Sequence, residues 1–205
     1  MPKTTVIIPH RMTEDASRTL LSLQNQTYSD FKTIVVPDQH KGANWARNEG
    51  FRQMNEGGSQ SEFLLFSDDD IDWKSNALEV LVQTLNRFRL ASYAYGRFKV
   101  GEKIWGHQMF DPALLRCSNY ISTMSLIRTK DFPGFDEKLK GYQDWDLWLT
   151  LLAQGKRGAY CNELIFTTEH REGISHSRDT SNLEALRAIN DKHHLNLSRF
   201  NTGYL

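Results

Sequence analysis

The stretch FLLFSDDDIDW, residues 63–73, places four apolar or aromatic residues directly before three consecutive aspartates. A short apolar run that ends in polar residues predicts a buried β-strand, which finishes at about Ser67. Asp68, Asp69 and Asp70 would repel one another and lose solvation at such a strand end. We therefore expect a cation or a helix N-terminus close to this acidic cluster.

The same kind of strand occurs twice before this stretch, and helical patterns separate the three strands. Continuous apolar strands that alternate with helices predict an α/β fold, in which helices cover both faces of a mostly parallel sheet. Asp72 and Ser75 are available to cap the helix that follows the aspartates. The segments run in the order TTVIIP, EDASRTLLSLQNQ, DFKTIVVPD, GANWARNEGFRQM, FLLFS and SNALEVLVQTLNRF.

Polar residues follow each of the three predicted strands. The first strand is expected to stop at Pro9, which His10 and Arg11 follow, and the second at Pro37, which Asp38 follows. Right-handed crossovers bring the carboxyl ends of parallel strands to one edge of a sheet, where open α/β sheets bind their ligands. The sequence therefore predicts a ligand site at this edge.

The rest of the chain is less regular. LASYAYGRFKV, YISTMSLIR and GAYCNELIFTT predict strands, and residues 101–120 predict a long loop or hairpin. SNLEALRAINDKHHL predicts a terminal helix, with His193 and His194 on its surface. We expect one domain over 1–205, with a regular, nucleotide-binding half at 1–95 and an irregular half at 96–205.

Composition excludes several classes of protein. The 205 residues are 39% hydrophobic and 24% charged with zero formal net charge, which indicates a globular chain without an overall field for nucleic acid or anionic membrane. The two cysteines, Cys117 and Cys161, form no C-x-x-C motif, which argues against a disulfide framework or a cysteine zinc site. No stretch approaches the roughly 18 apolar residues of a membrane helix, and the first ten residues do not resemble a signal peptide. We expect a cytoplasmic protein without a membrane span.

The three aspartates suit a particular chemistry. Carboxylate oxygens are preferred ligands of hard cations, and Mg²⁺ commonly binds through one or two carboxylates together with substrate phosphates. One acid of an Asp-x-Asp turn can bind a metal on a diphosphate while another binds a ribose hydroxyl. The alternatives are a solvated turn or a cap for the next helix. Three acids after one apolar strand favour the functional interpretation.

A second acidic stretch, GYQDWDLWLTLL, covers residues 141–152. Trp145, Trp148 and Leu149 form one apolar face of a predicted helix, which would dock the helix firmly. Asp144 falls in the first turn, where the helix dipole favours an acid. Two interpretations remain open for Asp144: an N-cap, or a general base that its aromatic neighbours hold rigidly.

The joint order of these motifs resembles the family 2 glycosyltransferases of the GT-A fold over roughly residues 4–175. The resemblance implies a single Rossmann-like GT-A domain whose second half, 96–205, binds the acceptor. It implies inverting transfer of a hexose from a nucleotide diphosphate sugar to an acceptor hydroxyl, with Mn²⁺ or Mg²⁺ as cofactor. The stretches that carry it are VIIP, SLQNQTYSDFKTIVVPD, ARNEGF, FLLFSDDD, STMSLIR, FPGFDEKL and YQDWDLWLTL.

The resemblance also implies roles for individual residues. Asp144 corresponds to the catalytic base, with Trp145 next to it as a substrate contact. Asp70 corresponds to the metal ligand, and Asp68 is expected to join it. His170 is expected either as a further ligand or as a histidine of a solvent-exposed loop. Asp38 corresponds to the residue that contacts the nucleobase. The complete set of expected substrate contacts is Pro9, Arg11, Asp38, Arg47, Asp68, Asp69 and Trp145.

Two positions depart from the family pattern, which usually has two acids where this chain has Pro37-Asp38 and Glu-Asp where it has Gln143-Asp144. These departures keep a non-catalytic nucleotide-sugar-binding module as an alternative. A sugar nucleotidyltransferase is a second alternative, but IIPHRMTED lacks the glycine-rich loop expected for a triphosphate. The acceptor could be a glycan, a lipid-linked sugar, a protein or a modified nucleic acid. The candidate acceptor contacts are Trp105, His107, Phe110 and Tyr142, and the alternative for the three aromatic residues is packing in the core.

Overall fold

The computed structural model describes residues 2–11, 13, 15–56, 60–169 and 180–195. Within these ranges no helix is long and apolar enough to cross a bilayer. The strands are β1 (Thr4–His10), β2 (Phe31–Pro37), β3 (Phe63–Phe66), β4 (Asp72–Trp73), β5 (Tyr93–Val100), β6 (Lys103–Trp105), β7 (Leu126–Arg128) and β8 (Gly158–Thr168). The helices are α1 (Ser17–Gln24), α2 (Ala43–Glu56), α3 (Ala77–Arg87), α4 (Pro112–Leu115), α5 (Gln143–Ala153) and α6 (Thr180–His193), with a 3₁₀ turn at Thr129–Asp131.

All the strands belong to one sheet, in the order β2-β1-β3-β7-β5-β8-β4, with β6 paired to β5. The first three strands are parallel, as predicted, and β8 is parallel to β5. Because β7 runs antiparallel to both β3 and β5, and β4 antiparallel to β8, the sheet as a whole is mixed. The α/β class is confirmed. The predicted parallel pairing occurs among β1, β2 and β3, whereas most pairs in the second half of the chain are antiparallel.

The sheet curls so that its last strand meets the first helix. The Trp73 backbone N–H of β4 donates to the Ser22 hydroxyl of α1 at 3.1 Å. The Thr19 hydroxyl of α1 donates to the carbonyl of Ile71 at 2.9 Å and accepts the Ile71 N–H at 2.8 Å. These contacts fix the position of the chain that leaves the three aspartates.

Helices cover both faces of the sheet, which explains the continuous apolar strands. All four residues of β3 are fully buried. Leu64 and Phe66 join the core that α2, α5 and α6 cover, whereas Phe63 and Leu65 join the core of α1 and α3. Side chains alternate between the faces of a strand, so a strand buried on both faces shows no polar alternation.

Helix α2 packs closely on β1, as the spacing of its small residues predicts. Ala46, Gly50 and Met54 are all buried. A Cβ atom at residue 50 would overlap the side chain of Ile7, so glycine is required for this approach. The close contact fixes the helix that carries Arg47.

Pro37 is the last residue of β2, as predicted, whereas Pro9 lies inside β1, which continues to His10. The pairing of β1 with β3 ends at Ile7 and Phe66, so at Pro9 the strand has a neighbour only on the β2 side. A missing N–H is tolerated where pairing is one-sided. Strand β2 lies at the sheet edge, and only Val36 within it is fully buried, which differs from the buried strand predicted.

The start of α3 also differs from the sequence prediction. Asp72 pairs with Thr167 in the ladder between β4 and β8, so it does not cap the helix. Asn76 occupies the N-cap position without a side-chain capping bond. A long-range strand contact therefore takes the place of the local cap that the sequence favours.

Helix α6 docks on α5 through buried charges. Asp146 of α5 is buried, and Nε2 of His193 lies 2.7 Å from its Oδ1. The Lys192 ammonium donates to Asp146 Oδ2 at 3.0 Å and to Asp136 Oδ2 at 2.9 Å. The hydrogen bond from Lys192 lowers the pKa of Asp136. The His193 side chain, which was predicted on the surface, is only 8% exposed and belongs to a polar cluster around the buried Asp146.

Candidate active site

The polar residues that follow β1, β2 and β3 meet at one edge of the sheet. His10 and Pro37 are partners in the ladder, and the Asp38 N–H donates to the His10 carbonyl at 2.9 Å. The Ser67 N–H donates to the Ile7 carbonyl at 3.0 Å and continues the alignment past the end of β3. The predicted convergence of these strand ends is observed.

Arg47 supplies a cation to the acidic cluster. Its Nη2 donates to Asp68 Oδ1 at 2.7 Å, and its Nη1 donates to Asn44 Oδ1 at 3.1 Å. The Arg47 side chain is only 3% exposed, whereas that of Asp68 is 40% exposed. The guanidinium also lies 5.2 Å from the ring centroid of Phe135. A buried guanidinium needs such partners, so its position is well fixed.

The other two aspartates are tied to different strands. His10 Nδ1 lies 3.0 Å from Asp69 Oδ2, and the Arg11 backbone N–H donates to the same oxygen at 3.4 Å. The Thr168 hydroxyl at the end of β8 donates to the Asp70 carbonyl at 3.4 Å and lies 3.5 Å from Asp70 Oδ2. The acidic turn is thus held between β1 and β8, and all three aspartates are half-buried.

Asp38 lies in a tight turn at the same edge. Its Oδ1 accepts the His40 N–H at 3.1 Å, and its carbonyl accepts the Lys41 N–H at 2.8 Å. Gln39 and His40 both have left-handed backbone conformations, with φ of 50° and 61°. Left-handed conformations are uncommon outside glycine, and the two hydrogen bonds hold Asp38 half-buried in this turn.

Asp144 does not cap α5. The helix begins at Gln143, and its N-cap residue is Tyr142, which has φ of 53° and makes no side-chain capping bond. Asp144 Oδ1 accepts the Trp145 backbone N–H at 2.8 Å and the Asn119 side-chain N–H at 3.0 Å. The N-cap interpretation is therefore wrong, and the carboxylate is held by its own helix and by the segment before β7.

The environment of Asp144 suits a proton acceptor. Burial raises the pKa of its carboxyl group, while the Trp145 N–H, Asn119 and the charge of Arg47 act in the opposite direction. A raised carboxyl pKa brings the group closer to the working range of a general base. Because Arg47 contacts Asp68 and acts on Asp144 through its charge, one buried cation connects the two acidic regions.

Two of the expected substrate contacts, Trp145 and Pro9, are buried in the structure. The Trp145 side chain is fully buried, and its indole N–H donates to the Leu115 carbonyl at 2.7 Å. Trp145 therefore packs the core and cannot contact substrate through its ring, which corrects the prediction. Pro9 is likewise buried within β1, whereas Arg11 is exposed. His170 lies outside the described residues.

The aromatic and histidine candidates for acceptor binding separate into two groups. Trp105 on β6 and His107 after it are exposed. Phe110 packs edge-on against Tyr93 with ring centroids 6.2 Å apart, and Tyr142 packs against Trp145 at 6.1 Å. Only the first pair presents its side chains freely to a partner.

A cleft of about 280 Å³ lies at the other end of β3, away from the three aspartates. It adjoins the start of β3 and the end of β7, and it includes none of the predicted site residues. Ligands of open α/β sheets bind at the carboxyl ends of the strands, so we assign the candidate active site to the aspartate edge. The cleft is lined by Gln60, Ser61, Glu62, Arg128, Thr129 and Lys130.

The sequence did not indicate two contacts that shape the site. His10 was expected at this edge of the sheet, but without a role, and its ring fixes Asp69. Asn119 lies in CSNYIS, a segment without periodicity, and no sequence signal points to its contact with Asp144. Both contacts join residues far apart in the chain, so only the folded structure reveals them.

The curled mixed sheet, with its acidic edge and covering helices, defines an α/β fold of the GT-A type. Similar solved structures include S. aureus TarS, at a TM-score of 0.71 and 16% identity, with 93% of this chain and 39% of that chain covered. TarS 1-349 in complex with UDP-GlcNAc matches at a TM-score of 0.71 and 19% identity. TarS 1-349 in complex with UDP matches at a TM-score of 0.68 and 18% identity. Each of these two matches covers 93% of this chain, and they cover 66% and 65% of the TarS chains.

This chain therefore spans less than two thirds of the length of the TarS structures that it resembles. No protein-family model and no curated protein matches its sequence. At such low sequence identity, the likeness to TarS establishes the fold.

Proposed function

We propose that this chain is an inverting glycosyltransferase of the family 2 type, which moves a hexose from a nucleotide diphosphate sugar to an acceptor hydroxyl. The observation that carries the proposal is the buried Arg47, which pairs with Asp68 and acts on the charge of Asp144. One fixed cation thus contacts the proposed donor-binding acid and lowers the pKa of the candidate base through its charge. The presence of UDP-GlcNAc in one TarS structure and UDP in another makes UDP-sugars the first donors to test.

The proposed reaction exchanges one bond for another at the anomeric carbon. The acceptor oxygen forms a bond to this carbon as the bond to the diphosphate oxygen breaks, and the diphosphate leaves with the bonding electrons. The acceptor proton passes to the Asp144 carboxylate. Inversion in a single displacement needs only this base, without the nucleophilic carboxylate of a retaining mechanism.

Divalent metal is part of the proposal because the acids at the site fit it. Within the described ranges, no group of three or more His, Cys, Asp or Glu side chains is arranged around an ion position. Asp68 and Asp70 nevertheless offer half-exposed carboxylates, and two carboxylates with substrate phosphates are a usual Mg²⁺ ligand set. Mn²⁺ or Mg²⁺ bound by Asp70 and Asp68 would supply Lewis-acid stabilisation of the leaving diphosphate. His170 stays a predicted third ligand.

We expect the Asp70→Ala variant to lose the metal dependence of nucleotide binding. Titration calorimetry of UDP and GDP, with Mn²⁺ and with EDTA, measures this dependence directly. Wild-type protein should bind more tightly with Mn²⁺, and the variant should bind equally weakly in both buffers. Asp191→Ala, at an exposed acid of α6, is the matched control and should behave as wild type. Equal wild-type affinity in both buffers would remove the metal from the proposal.

We expect the Asp38→Ala variant to raise the donor KM and to discriminate less between nucleotides. The turn after β2 holds this carboxylate at the strand edge, where it could accept a hydrogen bond from a nucleobase. Loss of a hydrogen bond that a site is built to make reduces specificity. Steady-state kinetics with UDP- and GDP-sugars compare the two proteins. An unchanged KM and an unchanged preference would contradict the role of Asp38.

The overall proposal is tested by incubating the protein with nucleotide sugars, Mn²⁺ and mixed acceptors. Donor binding should raise Tm by mass action, and nucleotide release should accompany formation of a glycoside whose anomeric configuration, read by NMR, is inverted. Binding without turnover would indicate a non-catalytic binding module. Consumption of a nucleoside triphosphate together with a sugar phosphate would indicate a nucleotidyltransferase.

A further inference from the structure

Asn119 contacts the carboxylate of the proposed base, Asp144. Its side-chain Nδ2 donates to Asp144 Oδ1 at 3.0 Å, and the Trp145 backbone N–H donates to the same oxygen at 2.8 Å. Two donors on one carboxylate oxygen fix the rotation of the group about its Cβ–Cγ bond. Neither of these two hydrogen bonds uses the second oxygen, Oδ2.

The segment that carries Asn119 is itself anchored to the helix that carries Asp144. The Trp145 indole N–H donates to the Leu115 carbonyl at 2.7 Å, and the Trp148 indole N–H donates to the Ile121 carbonyl at 2.8 Å. These two carbonyls lie on either side of Asn119 in the chain. Both indole rings are fully buried, so α5 holds the segment at two points and sets the distance between Asn119 and Asp144.

The opposite end of the Asn119 amide supports a role beyond folding. Its Oδ1 is buried and has no hydrogen-bond partner among the described residues. A buried acceptor without a partner opposes folding, so packing alone does not favour asparagine here. The reason for asparagine at this position is the other end of the amide, whose N–H group holds the Asp144 carboxylate.

We propose that Asn119 is a positioning residue, which fixes the Asp144 carboxylate so that Oδ2 faces the acceptor hydroxyl. This inference rests on the proposed function for its catalytic meaning, but the contact itself exists without substrate. Among the described residues, the other ionisable groups that act on Asp144 or are acted on by it are Arg47 of α2 and Tyr142 before α5. Neither is changed by substitution at residue 119.

The test is a direct titration of the Asp144 carboxyl group by ¹³C NMR in substrate-free protein. The Asp144→Asn variant identifies the resonance. The Asn119 hydrogen bond lowers the pKa of Asp144, so Asn119→Ala and Asn119→Leu should both move the titration to higher pH. Asn119→Leu keeps an uncharged side chain of similar size without its N–H donor, so it decides the matter if the alanine variant does not fold. Asn86→Ala, at an exposed site on α3, should leave the titration unchanged.

Turnover provides the second readout. Asn119→Ala should lower kcat by about 10- to 100-fold, as loss of a charge-assisted hydrogen bond predicts, and should move the acidic limb of the pH profile upward. Donor Kd should stay at the wild-type value. An Asp144 titration that does not move upward in either folded variant would overturn the inference. Normal turnover by Asp144→Asn would instead overturn the proposed function and leave the NMR result to decide the contact.

Discussion

Replacing Asp144 with asparagine should lower kcat by about 10²- to 10⁴-fold, because the variant cannot accept the acceptor proton. Asparagine keeps the size of the side chain and retains an oxygen that can accept the N–H groups of Trp145 and Asn119. Tm and donor Kd should therefore stay close to the wild-type values. The separation of turnover from binding and stability is the expected signature of a general base.

The pH profile of the wild-type enzyme provides an independent check on Asp144. A general base acts in its ionised form, and burial raises the pKa of this carboxyl group. The value of kcat/KM should fall as pH decreases through that pKa, which lies above the usual carboxyl value of about 4. Asp191→Asn, on an exposed face of α6, should retain wild-type rates. Near-normal turnover by a folded Asp144→Asn protein would refute the assignment.

Removing the buried acid that docks α6 should produce the largest change in stability. We expect Asp146→Ala to lower the free energy of unfolding by about 3 kcal/mol. This value is at the low end for a broken buried ion pair, because Lys192 is 39% exposed and can turn to solvent. His193 is only 8% exposed and would lose its carboxylate partner inside the protein.

Urea denaturation followed by circular dichroism measures this effect. The Lys192→Met variant, alone and combined with Asp146→Ala, completes a double-mutant cycle that isolates the coupling between the two residues. The combined variant should be more stable than the sum of the single changes predicts. Asp191→Ala, one position before Lys192 and exposed, should change stability by less than about 0.5 kcal/mol. A similarly small effect of Asp146→Ala would show that the cluster does not hold α6.

Local pattern was sufficient for much of the first half of the fold. The apolar runs at 6–8 and 63–66 and the helical periods between them depend on residues close in sequence. Parallel strands all end on the same side of a sheet, so the prediction of parallel strands places Asp38 and Asp68 at one edge. The small residues Ala46 and Gly50 likewise indicate the close packing of α2.

The second half depended on pairing between distant residues. YISTMSLIR is strand-like throughout, yet only Leu126–Arg128 pairs, because the strand is limited by its contacts with β3 and β5. Asp72 could cap a helix as its sequence suggests, but it joins the ladder with β8 instead. In each case a local hydrogen bond competes with a long-range one. A sequence pattern indicates only the local bond, because the partner in the long-range bond is distant in the chain.

The sequence by itself determined the α/β class, the acidic edge and Asp144 as a candidate base, because each follows from residue type, period and chain order. The tertiary structure alone decided which charges meet: Arg47 with Asp68, His10 with Asp69, and His193 with Asp146. It also decided that Trp145 packs the core and that Asn119 contacts Asp144. The physical reason is that side-chain contacts within about 3 Å depend on how distant elements pack, and packing geometry is not encoded in the period of any one segment.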